Sequence, residues 1–191
     1  MPKASPLPTA QLPMQTRSPS SGSLFSSGTV SVPLGQPKRG LNADLDALAE
    51  YVTSLSEFGL SPWRLAGGAL TSKAQKGKLL FASLNCAACH SGAGFTDSPS
   101  GQIHDVGTLG PGSGQASGGP LTGLDTPTLR GLWASAPYLH DGSAATLRDV
   151  FSTRNPGGLH GPTNTLTKQE LKRLEAYLLQ IDDLEPGPPG G

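Results

Sequence analysis

A chain of 191 residues with 14 basic and 14 acidic side chains has no formal net charge, which gives no sign of a nucleic-acid-binding surface or a polybasic membrane anchor. Apolar residues make up only 35%, against 26 glycines and 18 prolines, so the composition predicts a modest core with much loop, to which a buried cofactor would add apolar volume. No stretch approaches the roughly 20 apolar residues of a membrane span, and the start, Met1-Pro2-Lys3-Ala4-Ser5-Pro6, lacks the apolar core of a secretory signal.

Residues 1–40 are rich in Pro, Ser, Thr and Gly and read as a flexible segment, with one possible short strand at Val30, Val32 and Leu34. Residues 42–58 read as a helix capped by Asn42 and ended by Gly59, with Leu45, Leu48, Ala49, Val52, Leu55 and Phe58 on one face. Residues 59–70 form a connector. The spacing predicts a second helix over 71–85, capped by Thr71 or Ser72, whose apolar stripe is Ala74, Gly77, Leu80, Phe81 and Leu84. Gly77 lowers helix propensity there, which points to close approach by another element. Residues 91–127 carry ten glycines and read as a loop without regular helix or strand. A short helix is expected over 146–152 behind Thr146. The clearest helix covers 168–182, with a Thr167/Glu170 capping box and Leu171, Leu174, Leu178 and Ile181 pointing inward beside Tyr177. Residues 185–191 read as a disordered Pro/Gly tail. Leu45, Leu48, Tyr51 and Leu55 match Leu171, Leu174, Tyr177 and Ile181 at a constant offset of 126. Amphipathic helices look alike in general, but the match also fits two closing helices of a duplicated module, the first now without its cofactor motif.

The two cysteines stand in Cys86-Ala87-Ala88-Cys89-His90. Cys-x-x-Cys-His is the signal for covalent haem c attachment: each thiol forms a thioether to a haem vinyl group, and the adjacent imidazole reaches the iron through a free nitrogen lone pair. A thioredoxin-like redox pair would need a βαβ setting, and a zinc site would have to draw its further ligands from His104, His140 and His160. The only methionines are Met1 and Met14, so a Met-ligated haem of high potential is not expected. His160, in Asn155-Pro156-Gly157-Gly158-Leu159-His160-Gly161, is the first candidate for the distal iron ligand. His140 is next, then His104, and an open, five-coordinate iron is the remaining case. Each histidine has a plain alternative as a loop residue making structural hydrogen bonds or touching a haem propionate.

Asp125-Thr126-Pro127-Thr128-Leu129-Arg130-Gly131-Leu132, followed by Ala136-Pro137-Tyr138-Leu139-His140-Asp141-Gly142-Ser143-Ala144-Ala145-Thr146-Leu147, with Phe95-Thr96-Asp97 and His104-Asp105-Val106-Gly107 upstream, resembles the C-terminal haem c domain of the bacterial di-haem cytochrome c peroxidase family. The resemblance covers about residues 70–183. It implies an all-α, class I cytochrome c-like domain around one haem, here residues 70–184, in which Gly77 and Phe81 meet the Tyr177 face of the last helix. It implies that Arg130 lies near a haem propionate, the alternative being a surface salt bridge, and that Tyr138 and His140 line the haem. The family's distal Met position falls at Thr153 and Arg154, which cannot replace it, and the family uses two haems where this chain has one motif. The resulting expectation is a single-haem electron carrier, iron held by His90 and His160, exchanging electrons with cytochromes or small carriers outside the cytoplasm. A peroxidase-type enzyme completed by a second haem domain is the alternative, with residues 41–60 as a remnant of a preceding cytochrome module.

Overall fold

The structure, a computed structural model, describes residues 40, 42–116 and 119–189. The expected flexible segment, its strand at Val30–Leu34 and both methionines lie outside the described residues. Four α-helices follow in chain order: α1 (Ala43–Ser54), α2 (Ser72–Ser83), α3 (Leu147–Phe151) and α4 (Lys168–Leu178). Each starts at a side-chain cap read from the sequence. Asn42 accepts from the Asp44 and Leu45 amides, Thr71 from Ala74, and Thr146 with Asp149 and Thr167 with Glu170 form reciprocal capping boxes.

The core is the crossing of α2 with α4. Ala74 and Phe81 of α2 bury against Leu171, Leu174, Tyr177 and Leu178 of α4, and Ile181, Phe95, Leu129, Leu147, Val150 and Phe151 fill the remainder. Gly77 explains the closeness. A Cβ there would meet the Arg173 carbonyl and come within 2.8 Å of Tyr177 Cβ, so only a hydrogen fits between the two backbones. Phe81 packs edge-on to Tyr177 with ring centres 5.5 Å apart. The meeting of Gly77 and Phe81 with the Tyr177 face is therefore as the resemblance implies.

Several expectations are corrected. The domain is not purely α-helical: two antiparallel ladders pair β1 (Ile103–His104) with β4 (Leu124–Asp125) and β2 (Gln115–Ala116) with β3 (Gly119–Pro120). They lie within the glycine-rich 91–127 loop, where glycines bound strands of only two residues and conceal any period-2 signal. α4 ends at Leu178 instead of 182, because Leu179 to Ile181 tighten into turns that aim Asp182 inward. Disorder from 185 is corrected at Glu185, which is 3% exposed and takes hydrogen bonds from Arg64, Lys78 and Tyr177.

α1 stands apart from this core. None of its residues is buried, and the chain rejoins the domain only after it, where the Phe58 and Gly59 amides donate to Asp183 Oδ2. Arg64 then inserts between Asp182 and Glu185, at 2.8 and 3.0 Å, with all three side chains at most 5% exposed. Among the described residues, no helix is long and apolar enough to cross a membrane.

Candidate haem site

α2 delivers the cysteine motif to the edge of the core. Asn85, in a left-handed turn at φ 57°, breaks the helix, and Cys86–Ala88 form one tight 3-10 turn. The His90 amide donates back to the Cys86 carbonyl at 3.0 Å, so Cys86, Cys89 and His90 share one compact loop. Both thiols are free. Burial pushes the Cys86 thiol up to about 11, and burial followed by the Asp97 charge raises that of Cys89. A dithiol redox centre has the opposite tuning, with a depressed thiol.

His90 is oriented by Phe95. Its Nδ1 lies 3.2 Å from the Phe95 carbonyl, which assigns the proton to Nδ1 and leaves the Nε2 lone pair for a metal. Phe95 holds that carbonyl in place at φ 52°, a left-handed conformation rare for an aromatic residue. Its fully buried ring anchors it there. Burial, with a smaller effect from the neighbouring His160, pushes His90 down to about 4, so the ring is neutral at physiological pH, as a ligand must be.

The His160 ring lies near that of His90, with ring centres 6.3 Å apart and planes inclined by 32°. Burial lowers its proton affinity as well. The His160 loop is held by Asn155, 2% exposed. Asn155 Oδ1 accepts from the His160 amide at 2.9 Å, and its Nδ2 donates toward Gly161 O and Thr163 Oγ1 at 2.8 and 2.9 Å. Gly107, at φ +77°, gives this loop room: a Cβ there would lie 2.8 Å from Leu159 Cδ1.

The other sequence candidates each have partners of their own. His104, on β1, places Nε2 2.7 Å from Asp97 Oδ2 and Nδ1 3.7 Å from Cys89 Sγ. Cys89, Asp97 and His104 bring one ligand atom each to within 4.8 Å, a three-donor set where structural zinc takes four. His140 is exposed, 3.1 Å from Ser113 Oγ, on an open cavity of about 420 Å³ with Thr108 and Asp141. Tyr138 donates to the Leu132 carbonyl at 2.9 Å. Arg130 is neither a surface salt bridge nor a free cation: four of its five N–H donors go to the carbonyls of Ala93, Asp182 and Glu185, and its guanidinium lies 5.3 Å from the Phe95 ring centre. Composition and periodicity missed Phe95 and Asn155. The Asn-Pro-Gly-Gly run before His160 is the signal that could have marked the latter, since Asn side chains bond backbone groups a few residues on.

A family model for RoxA-like, cytochrome c-like domains matches residues 123–156. The chain carries a haem c domain related to the cytochrome c peroxidase family. It is 38% identical to the hydrazine synthase subunit gamma of Kuenenia stuttgartiensis, over 70% of this chain and 48% of that one. It is 31% identical to the methylamine utilization protein MauG of Methylorubrum extorquens, over 69% of this chain and 42% of that one. The cytochrome c551 peroxidase of Nitrosomonas europaea is 29% identical over 62% and 36%. A solved structure of Kuenenia stuttgartiensis hydrazine synthase superimposes with a TM-score of 0.60 and 34% identity, over 72% of this chain and 55% of that one. The chain thus spans less than half the length of these curated relatives. The haem c domain implies a covalently bound haem, and the residues present fit one: two free thiols on a single turn, beside a neutral imidazole whose Nδ1 is engaged by the Phe95 carbonyl.

Proposed function

We propose that this chain is a mono-haem c-type cytochrome that transfers single electrons, with thioethers at Cys86 and Cys89 and the iron held between His90 and His160. The observation that carries this reading is the 6.3 Å between the two ring centres. A metal–N(imidazole) bond is about 2.0 Å and an imidazole nitrogen lies about 1.1 Å from its ring centre, so two imidazoles holding one metal ion between them would have centres about 6.2 Å apart. Bound there, the haem supplies a reversible one-electron couple. The protein's part is to keep both imidazoles neutral: Phe95 fixes the tautomer of His90, Asn155 fixes the loop of His160, and burial disfavours protonation of either ring. With His90 and His160 both holding the haem, neither imidazole would leave room for a substrate at the iron. That suits electron exchange with other cytochromes or small electron carriers. Attachment of haem c places the mature protein outside the cytoplasm, in the periplasm or its equivalent.

The test is stoichiometry with reactivity. Protein matured in a host competent for haem c is expected to show one c-type pyridine haemochrome per chain. Its reduced form should be oxidised rapidly by an outer-sphere oxidant while consuming no hydrogen peroxide. Peroxide turnover by the isolated chain would contradict the electron-carrier reading.

A second reading has its own support. The relatives include MauG and a cytochrome c551 peroxidase, and this chain spans less than half of each. Here the domain is one part of a peroxidase-type enzyme that needs a second haem domain. Its mark is peroxide turnover that appears only when a second haem protein is added.

A further inference from the structure

The apolar face of α1 repeats the inner face of α4. Leu45, Leu48, Tyr51, Val52 and Leu55 stand at the positions of Leu171, Leu174, Tyr177, Leu178 and Ile181. On α4 and the turn that follows it, these five side chains are between 0 and 8% exposed, in one buried cluster with Ala74 and Phe81 of α2. On α1 their counterparts are between 55 and 62% exposed. Five large apolar residues in one stripe at such exposure form a patch of the kind that marks an interface. The tyrosine in matching register is informative. On α4 it sits where Gly77 lets the backbones touch, and Phe81 stacks on its edge. The helix complementary to such a face therefore carries a glycine opposite the tyrosine.

Charge narrows the partner further. Within α1 the ionisable groups are Asp44, Asp46, Glu50 and Tyr51, with no lysine or arginine. Two copies of α1 would bring like charges together, which disfavours pairing with itself. α2, the helix that fits this kind of face within the domain, carries Lys73, Lys76 and Lys78 and no acidic residue. Residues 1–39 offer no equivalent: they hold seven prolines, and none of their glycines is followed four residues later by an aromatic residue, as Gly77 is by Phe81.

We propose that α1 is a docking surface for a lysine-bearing helix with a central glycine, belonging to a second cytochrome c-type module and seated as α2 is seated on α4. The proposal goes beyond the electron-carrier reading and does not depend on which groups hold the iron. The full haem-loaded chain is titrated calorimetrically with a side-chain-stapled helical peptide of the Ser72–Ser83 sequence. Saturable one-to-one binding is expected. It should weaken about tenfold or more when the peptide's glycine is replaced by leucine, weaken as salt rises from about 0.05 to 0.5 M, and vanish in the Leu48→Asp chain. The haem absorption spectrum of Leu48→Asp should equal that of the parent. Absence of saturable heat at about 1 mM peptide would overturn the proposal. So would binding that survives Leu48→Asp, since the peptide would then be displacing α2 from α4. Sedimentation of the unmodified chain as a dimer that Leu48→Asp dissociates would assign the face to a second copy, and an altered haem spectrum in that variant would assign it to this chain's own domain.

Discussion

At the scale of single residues, the site depends on groups that touch no iron. Asn155 is buried with its amide spent on the His160 loop. Asn155→Ala leaves the His160 amide without its partner and removes the donors to Gly161 O and Thr163 Oγ1, so a loss of about 1–3 kcal/mol is expected in chemical unfolding. A rise in the high-spin fraction of the haem spectrum should accompany it, which a purely structural asparagine would not produce. Protonation gives a second residue-scale prediction. His90 titrates at about 4 in the folded chain against an ordinary value of 6.5, and burial lowers His160 in the same direction. Between those values the unfolded chain binds more protons than the folded one. The stability of the haem-free chain is therefore full above pH 6.5 and falls as pH drops through 6.5 toward 4, by on the order of 3 kcal/mol for His90. Unfolding midpoints at a series of pH values check this, and a flat profile from pH 7 to 4 would contradict it. Cys86, Cys89 and His90 were legible because their spacing is itself the chemistry. The role of Asn155 was not, because it depends on a turn that brings its amide under a backbone five residues away. Arg130 was legible as an important cation, but its bonds to the Ala93, Asp182 and Glu185 carbonyls were not, since sequence does not show which carbonyls a folded chain leaves unpaired.

At the scale of elements, the two helices that look alike should behave oppositely. Leu174 is 1% exposed and Leu48 is 55% exposed. Leu174→Ala should cost about 2–5 kcal/mol through the cavity it leaves, whereas Leu48→Ala should stay within about 0.5 kcal/mol, both read from denaturant midpoints of the haem-loaded protein. Helical periodicity announced both helices and their caps, because capping is local chemistry. It could not say that one face is covered and the other bare, which is a property of what lies alongside. The ladders β1–β4 and β2–β3 escaped for a related reason: two-residue strands are set by contacts across the loop and leave no pattern along it. The α2–α4 crossing was foreshadowed by Gly77, a residue out of place in a helix unless something approaches. Gly77→Ala should therefore lower stability by about 1–3 kcal/mol in the same assay, since the added methyl group meets the Arg173 carbonyl and Tyr177.

At the scale of the whole molecule, residues 182–185 fasten three parts of the chain together. Asp182 and Glu185 receive Arg64 from the connector, Glu185 receives Lys78 from α2, and their carbonyls receive Arg130 from the loop before α3. Arg64→Ala leaves buried Asp182 without its cation and Glu185 with Lys78 alone, so a loss of about 3–5 kcal/mol in thermal or chemical unfolding is expected. No local pattern marks this clamp, because its cations lie between 52 and 121 residues from the carboxylates and carbonyls they meet. The same fold brings His90 and His160 from two distant loops to ring centres 6.3 Å apart, and the proposed function rests on that pairing. Its most direct test is the absorption spectrum of the oxidised, haem-loaded protein at neutral pH beside those of His160→Ala and His140→Ala. The account predicts a low-spin spectrum for the parent and for His140→Ala, and conversion to high-spin in His160→Ala alone. A high-spin parent, or a His160→Ala protein that stays low-spin while His140→Ala does not, would contradict it.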